Sequence, residues 1–151
     1  MPGRILAIDF GLKRMGLAVS DALRITAQGL PTLERRGREG DLRHLQALAE
    51  EYGVERVILG NPLGHGGGET AMSRRVAHFA ATLRRRLNSP VELWDERLTS
   101  VEANRMLRTA GMSTRKRQQA TDRVAATLLL QSYLDYHANE AARCGDLGAP
   151  Q

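Results

Sequence analysis

The feature that most constrains the fold is a short apolar run near the N-terminus that ends in an acidic residue. Residues Ile5–Ile8 are all apolar, and Asp9 follows them directly. An apolar run of this length without alternation is typical of a strand that is buried on both faces of a sheet. An ionised carboxylate at the end of such a strand needs a compensating partner, because burying an unpaired charge is unfavourable.

The turn after this strand is bracketed by two glycines, Gly11 and Gly16. Glycine allows the backbone to approach a ligand closely. The partner of Asp9 is then a metal ion, a basic group or a ring of backbone N–H groups. An aspartate that only accepts hydrogen bonds in a turn also fits this local pattern, so the rest of the chain has to decide between function and structure.

Length and composition predict one globular domain in the cytoplasm. The chain has 151 residues, 42% of them hydrophobic, which is enough to form a core. No apolar stretch approaches the roughly 20 residues of a membrane-spanning helix, so no membrane partner is expected. The N-terminus leads straight into the first strand without the apolar segment of a signal peptide. Cys144 is the only cysteine, so the chain forms no internal disulfide.

The charge pattern predicts a nucleic-acid partner that is held by its phosphate backbone. Lysine and arginine together number 22 against 17 acidic residues, and the isoelectric point is about 10.1. The planar guanidinium of arginine suits phosphate oxygens, whereas an aromatic content of 4% leaves little material for base stacking. The basic residues cluster at residues 35–38, 84–86 and 115–117.

The hydrophobic pattern predicts an α/β fold of RNase H-like order, β-β-β-α-β-α-β-α. A mixed five-stranded sheet with helices on both faces follows from three hairpin strands and the later βα units. The domain is expected to span residues 1–137, with a flexible tail at 138–151. The predicted strands cover residues 4–10, 16–20, 25–33, 57–59 and 91–96.

Start and stop signals place the helices. A basic loop at residues 113–117 is expected to lead into the last of them. The predicted helices run from the N-cap Asp41 to Gly53, over residues 72–87, from the capping box of Thr99 and Glu102 to Gly111, and onward from Thr121 and Asp122.

Acidic residues lie at the ends of several predicted elements and carry the chemistry. Asp9 ends the first strand, Asp95 and Glu96 end the last, and Asp122 begins the last helix. Carboxylates that meet at one sheet edge repel one another unless a divalent cation binds, and oxygen ligands select Mg²⁺ or Mn²⁺. Strand alternation turns Asp95 and Glu96 to opposite faces, and the residues alone do not choose between them. Asp122 also fits a plain helix-start acid.

Four segments in order resemble the motifs of the YqgF/RuvX family over about residues 4–137. They are Asp9–Asp21, Gly60–Pro62, Asp95–Ser100 and Asp122–Ala126. The resemblance implies an RNase H-like, metal-dependent nuclease that processes the 5′ end of pre-16S ribosomal RNA in ribosome biogenesis. It assigns Asp9, Glu96 and Asp122 as catalytic, metal-binding acids.

One departure from the wider RNase H pattern concerns the fourth strand. Many relatives carry an acid at its end, where this chain has Gly60-Asn61-Pro62. The resemblance implies that Glu96, on the neighbouring strand, takes its place. It also implies substrate-binding roles for Lys13, Arg14, Asn61, Arg97, Thr99, Arg115, Lys116 and Arg117.

Other functions stay open at the level of sequence. The same site would serve a nuclease for Holliday junctions or single-stranded DNA or RNA in repair and recombination, and junction resolution requires a homodimer rather than a monomer. A non-catalytic factor that binds ribosomal RNA also fits the missing fourth-strand acid. An actin-like ATPase is disfavoured, since it needs a second domain with another Asp-x-Gly strand.

Overall fold

The computed structural model describes residues 3–96 and 114–148. Five strands and three long helices form in these ranges, together with a short 3-10 turn at His65–Gly67. The elements in chain order are β1 Arg4–Asp9, β2 Arg14–Ser20, β3 Ala27–Glu34, α1 Arg38–Tyr52, β4 Val54–Asn61, α2 Ala71–Arg86, β5 Val91–Asp95 and α3 Thr114–Gly148.

The strands form one mixed sheet in the order β3-β2-β1-β4-β5. β1 pairs antiparallel with β2, and β2 with β3, whereas β1 and β4 and then β4 and β5 pair in parallel. The predicted α/β class with a mixed five-stranded RNase H-like sheet is confirmed. β1 lies at the centre of the sheet, as its apolar run predicts.

Two hydrophobic cores cover the two faces of the sheet. Leu6 and Ile8 of β1 belong to the core beneath α1 and α2, whereas Ile5 and Ala7 belong to the core beneath α3. This alternation is the two-residue period of a strand, and it explains why the run in β1 is apolar throughout. By the same period Asp9 lies on the α3 face.

A glycine in β2 allows α3 to cross the sheet closely. A Cβ at Gly16 would overlap the backbone carbonyl oxygen of Asp122, so no other residue fits there without moving the helix. Gly16 is also the strand partner of Asp9. The close crossing therefore brings the backbone of Asp122 to the end of β1.

The start of α1 differs from the prediction. The helix begins at Arg38 after Gly37, whose φ of 134° favours glycine, so Asp41 is not the N-cap. Asp41 is instead buried in the first turn, where it accepts hydrogen bonds from the side chain of Arg35 and the backbone N–H of Arg36. A carboxylate suits this position, because the N-terminal turn of a helix favours negative charge.

The last helix also begins earlier than predicted. α3 starts at Thr114, so residues 115–117 are helical rather than a loop, and Asp122 lies within the helix rather than at its start. No glycine or proline interrupts residues 114–121, and arginine, lysine and glutamine are good helix formers. α3 continues past the boundary predicted at Ala138 to Gly148.

Two further observations complete the comparison with the predicted elements. The helix predicted from the capping box of Thr99 and Glu102 lies outside the described residues. A capping box does form at the start of α2, between Thr70 and Ser73. Within the described ranges, no helix is both long enough and apolar enough to cross a membrane.

Candidate active site

Asp9 is placed by β1 at one edge of the sheet, next to a second carboxyl group. Burial raises the pKa of Asp9 well above its ordinary value. The negative charge of Glu96 and a hydrogen bond between the two side chains raise it further, and the charge of Asp122 adds to the effect. The structure thus brings together Asp9 and Glu96, and it places Asp122 close enough for its charge to be felt.

Glu96 reaches Asp9 because the strand between them carries a glycine. β4 separates β1 from β5, and a Cβ at Gly60 would lie 2.5 Å from the Oε1 atom of Glu96. The Glu96 side chain therefore lies across Gly60 on its way to Asp9. At this point of β4, Gly60 leaves the space through which the Glu96 side chain passes.

The phase of β5 explains why Glu96, rather than Asp95, faces Asp9. Trp94 packs into the core beneath α3, whereas Leu93 packs against the opposite core. Alternation carries Glu96 to the side of Trp94, which is the side of Asp9, and turns Asp95 away.

Asp122 reaches the same edge from α3 but is held by an arginine. Its Oδ2 lies 3.2 Å from Nε of Arg14, and the two side chains are 29% and 22% exposed. Burial raises the pKa of Asp122, Arg14 opposes this effect, and the charge of Glu34 adds to it. Among the described residues, no three acidic, histidine or cysteine side chains stand close enough together to hold a metal ion.

Asn61 ends β4 at the same sheet edge with an unsatisfied oxygen. Its Oδ1 is shielded from solvent and accepts no hydrogen bond from the part of the chain that the structure describes. Leaving a buried acceptor unpaired costs about 1–3 kcal/mol, which a donor from a substrate or a bound cation would recover.

The donor set at this edge suits a hard divalent cation. Asp9 and Glu96 offer carboxylate oxygens, and Asp122 lies near enough for its charge to act on Asp9, whereas strand alternation turns the Asn61 side chain to the opposite face of the sheet. Mg²⁺ and Mn²⁺ prefer such oxygen ligands. A cation bound here would offset the repulsion between the negative charges of these carboxyl groups.

The remaining predicted residues have different surroundings. Lys13 is exposed in the turn after Asp9. Arg14 is engaged by Asp122, so its first role is to hold that acid. Arg97 and Thr99 lie outside the described residues, and residues 115–117 lie in the first two turns of α3, before Asp122.

Sequence reasoning names Gly16 as one end of a turn and Gly60 as part of a motif, but it misses how these two glycines build the site. Gly16 lets α3 approach β2, and Gly60 lets Glu96 cross β4. Their positions in the strands beside β1 are the available signal. Gly16 pairs with Asp9 itself, and Gly60 directly follows the residue of β4 that pairs with Ile8. Two small residues flanking an acid at a strand end indicate that other groups pass over the strands there.

The sheet is RNase H-like, and acidic side chains from different elements approach one another at the end of its central strand, β1. These two features are those of an RNase H-like protein. The family model described as "RuvX: Holliday junction resolvase" matches residues 3–136, and the chain belongs to this family. The family is one of hydrolases, and relatives of this chain are named as nucleases.

Two relatives illustrate the similarity in sequence. A protein of Koribacter versatilis named "Putative pre-16S rRNA nuclease" is 48% identical over 133 residues, which cover 88% of this chain and 87% of that protein. A protein of Clostridium acetobutylicum with the same name is 42% identical over 132 residues, covering 87% of this chain and 98% of the relative.

Two solved structures illustrate the similarity in fold. The RuvC protein of Thermus thermophilus in complex with a Holliday junction substrate has a TM-score of 0.54, and the Fowlpox virus resolvase with Holliday junction DNA has 0.55. Each is 14% identical in sequence, and each match covers 89% of this chain, with 96% and 98% of the respective structures. At this identity the likeness concerns the fold.

Proposed function

We propose that this protein is a cytoplasmic, metal-dependent nuclease that processes the 5′ end of pre-16S ribosomal RNA during ribosome biogenesis. The observation that carries the proposal is the contact between Asp9 and Glu96, two carboxyl groups that share a hydrogen bond at a sheet edge and form no ion pair with a basic residue in the described ranges. The names of the relatives at 42–48% identity support the choice of substrate.

The proposed metal ligands are Asp9, Glu96 and Asp122. A bound Mg²⁺ or Mn²⁺ would supply Lewis acidity at the phosphoryl oxygen and lower the pKa of a bound water. Asp9 and Glu96 fix the position of the site from β1 and β5, while Arg14 holds Asp122 beside them. Because no three acidic side chains among the described residues stand close enough together to hold a metal ion, Asp122 would have to leave Arg14 and move toward Asp9 to join the ligands.

Basic and polar side chains around the acids are proposed to position the substrate strand. Lys13 is exposed directly after the Asp9 strand end, where a phosphate beside the scissile bond would lie. The unsatisfied Oδ1 of Asn61 accepts a hydrogen bond from a substrate hydroxyl or from the attacking water. The other proposed substrate-binding residues are Arg14, Arg97, Thr99, Arg115, Lys116 and Arg117.

A second candidate substrate is a four-way DNA junction. The description of the family model and the titles of the two structural neighbours, which name Holliday junctions, favour it. Symmetric cleavage of a junction needs two active sites, so this function would require a homodimer. Paired nicks at symmetric positions in a synthetic junction distinguish it from the trimming of an RNA precursor.

The test compares two aspartate variants on both substrates. Asp9→Asn keeps the size of the side chain but removes its charge, and we expect cleavage of a pre-16S leader RNA with Mg²⁺ or Mn²⁺ to fall by about 10³-fold or more. Asp135→Asn, on the exposed surface of α3, is the matched control and should cleave within about twofold of the parent.

Each other result points to a different conclusion. Equal cleavage by the parent and Asp9→Asn, or cleavage without a divalent cation, would exclude the proposed chemistry. Cleavage of junctions alone would select the second substrate. RNA binding by both variants without cleavage by the parent would indicate a non-catalytic assembly factor.

A further inference from the structure

A cationic cavity lies next to the proposed active site, on the other face of the sheet. It has a volume of about 390 Å³ and opens between α1, α2 and the turn that follows Asp9. Four arginines line it, and none of its lining residues in the described ranges is acidic. The arginines are Arg35, Arg38, Arg74 and Arg75.

Two of the four arginines are used by the fold. Arg35 donates to buried Asp41 at 3.0 Å and to the carbonyl oxygen of Gly11 at 3.1 Å. Arg38 donates to the hydroxyl of Thr82 at 2.9 Å, which ties α1 to α2. These contacts fix the wall of the cavity and link it to the turn after Asp9.

The other two arginines carry charge that the protein does not neutralise. Arg74 lies 3.8 Å from Glu69, but the two side chains are 70% and 77% exposed, so the pair is weak. Arg75 forms no ion pair or side-chain hydrogen bond with a described residue. His78 follows them one turn later on the same side of α2. This wall of the cavity therefore attracts an anion.

The floor of the cavity is apolar and aromatic. The rings of Phe10 and Phe79 lie 5.1 Å apart, and the guanidinium of Arg35 stacks over Phe10 at 4.9 Å. Leu12 is 55% exposed at the rim. A guanidinium plane with an apolar rim is a surface on which an unpaired base stacks, beside arginines that bind its phosphate.

The position of the cavity links it to the acids at the strand end. Asp9 and Phe10 are neighbours in sequence, and strand alternation directs them to opposite faces at the same edge. A strand of nucleic acid that passes Asp9 and continues over the turn at Leu12 and Lys13 enters the cavity. The recess lies between α1 and α2, beside this path.

We infer that this cavity binds a single-stranded nucleotide of the substrate next to the scissile phosphate, with its phosphate on Arg74 and Arg75 and its base against Leu12, Phe10 and Arg35. The inference rests on the proposed nuclease function and specifies its substrate class: an unpaired segment flanking the cleavage position. The charge of Arg75 is available for binding, because no ion pair or side-chain hydrogen bond with a described residue uses it in the fold.

The test measures binding without cleavage. A fluorescein-labelled single-stranded RNA of 12 nucleotides is titrated in EDTA, and its anisotropy gives Kd for the parent, Arg75→Glu and Arg43→Glu. Arg43 is a matched control, because it is 74% exposed on α1, lies outside the cavity and changes the net charge equally. We expect Arg75→Glu to raise Kd about tenfold and Arg43→Glu to raise it less than twofold.

Two further arms make the result specific. Arg74→Glu should repeat the effect of Arg75→Glu, and it replaces that variant if circular dichroism shows a loss of folding. A blunt duplex of the same sequence should bind the parent and Arg75→Glu within about twofold of each other. An equal effect of Arg43→Glu and Arg75→Glu, no effect of either cavity variant, or an equal loss for the duplex would overturn the inference.

The binding result is separable from the fate of the proposed function. Asp9→Asn lies outside the cavity lining, so it should bind the single strand at least as well as the parent while it loses cleavage. If Asp9→Asn keeps its cleavage activity, the proposed function fails without changing the Kd comparison. If Asp9→Asn is inactive but the cavity variants bind normally, only the inference fails.

Discussion

Asp41 and Asp9 are two carboxyl groups whose surroundings in this protein are opposite in kind. Asp41, at the junction of β3 and α1, is 1% exposed and accepts from the guanidinium of Arg35 and from a backbone N–H. Asp9, at the end of β1, has a second carboxyl group as its hydrogen-bonding neighbour. The first group is paired within the protein, whereas among the described residues the second faces other carboxyl groups, and we propose that a cation satisfies it.

This difference separates a structural acid from a functional one. A buried carboxylate that is paired and hydrogen-bonded stabilises the loop around it, and losing its partner is strongly destabilising. Acidic groups gathered without a cation raise one another's pKa and reduce stability, so they persist where a ligand uses them. We therefore expect neutralisation of Asp41 to lower the stability of the fold and neutralisation of Asp9 to raise it.

The largest effect on stability is expected at Asp41. Asp41→Ala leaves Arg35 without its buried partner and removes the acceptor of the loop, so we expect a loss of about 3 kcal/mol in the free energy of unfolding. Urea denaturation followed by circular dichroism measures it. A loss below about 1 kcal/mol would show that Asp41 is not the structural acid of the comparison.

A smaller effect, on activity rather than stability, is expected at Gly60. A methyl group in Gly60→Ala would lie 2.5 Å from the Oε1 atom of Glu96, so it pushes Glu96 away from Asp9 and should lower nuclease activity about tenfold or more. Gly40→Ala is the control, because no atom lies within 4 Å of its added Cβ, and it should keep full activity with a small gain in helix stability. Equal activity of the two variants would mean that Glu96 does not need to lie across β4.

The sequence predicts the parts of this site that depend on local pattern. The buried strand β1 and the acid at its end follow from the local order of residues, and the mixed sheet follows from the order of the predicted elements. The choice of Glu96 over Asp95 does not, because it depends on the phase of β5 and on the space above Gly60, which only the assembled sheet defines. The charge of the basic residues before Asp122 is typical of a loop, but these residues are good helix formers. The helix α3 therefore begins earlier than the sequence predicts. The role of Asp41 depends on its pairing with Arg35 across the β3–α1 junction, which a helix-start pattern does not reveal.

The raised pKa of Asp9 determines whether its neutralisation stabilises or destabilises the fold. Its folded pKa is raised above the value of 3.8 expected for the unfolded chain, so its favourable contribution to stability is present below about pH 3.8 and is lost as the pH rises through the folded pKa. In the metal-free protein, Asp9 therefore contributes less to stability at neutral pH than at acidic pH. Asparagine cannot ionise, so Asp9→Asn should be more stable than the parent at pH 7.5, with a difference that shrinks toward pH 4.

The measurement that tests the central claim most directly is the melting temperature of the parent and of Asp9→Asn at pH 7.5, in EDTA and in Mn²⁺. The account predicts that the variant melts higher in EDTA, and that Mn²⁺ raises the melting temperature of the parent but not of the variant, because a ligand that binds only the folded state stabilises it. A variant that melts lower than the parent in EDTA, or an equal response of both proteins to Mn²⁺, would contradict the claim that Asp9 is held at this sheet edge for a cation.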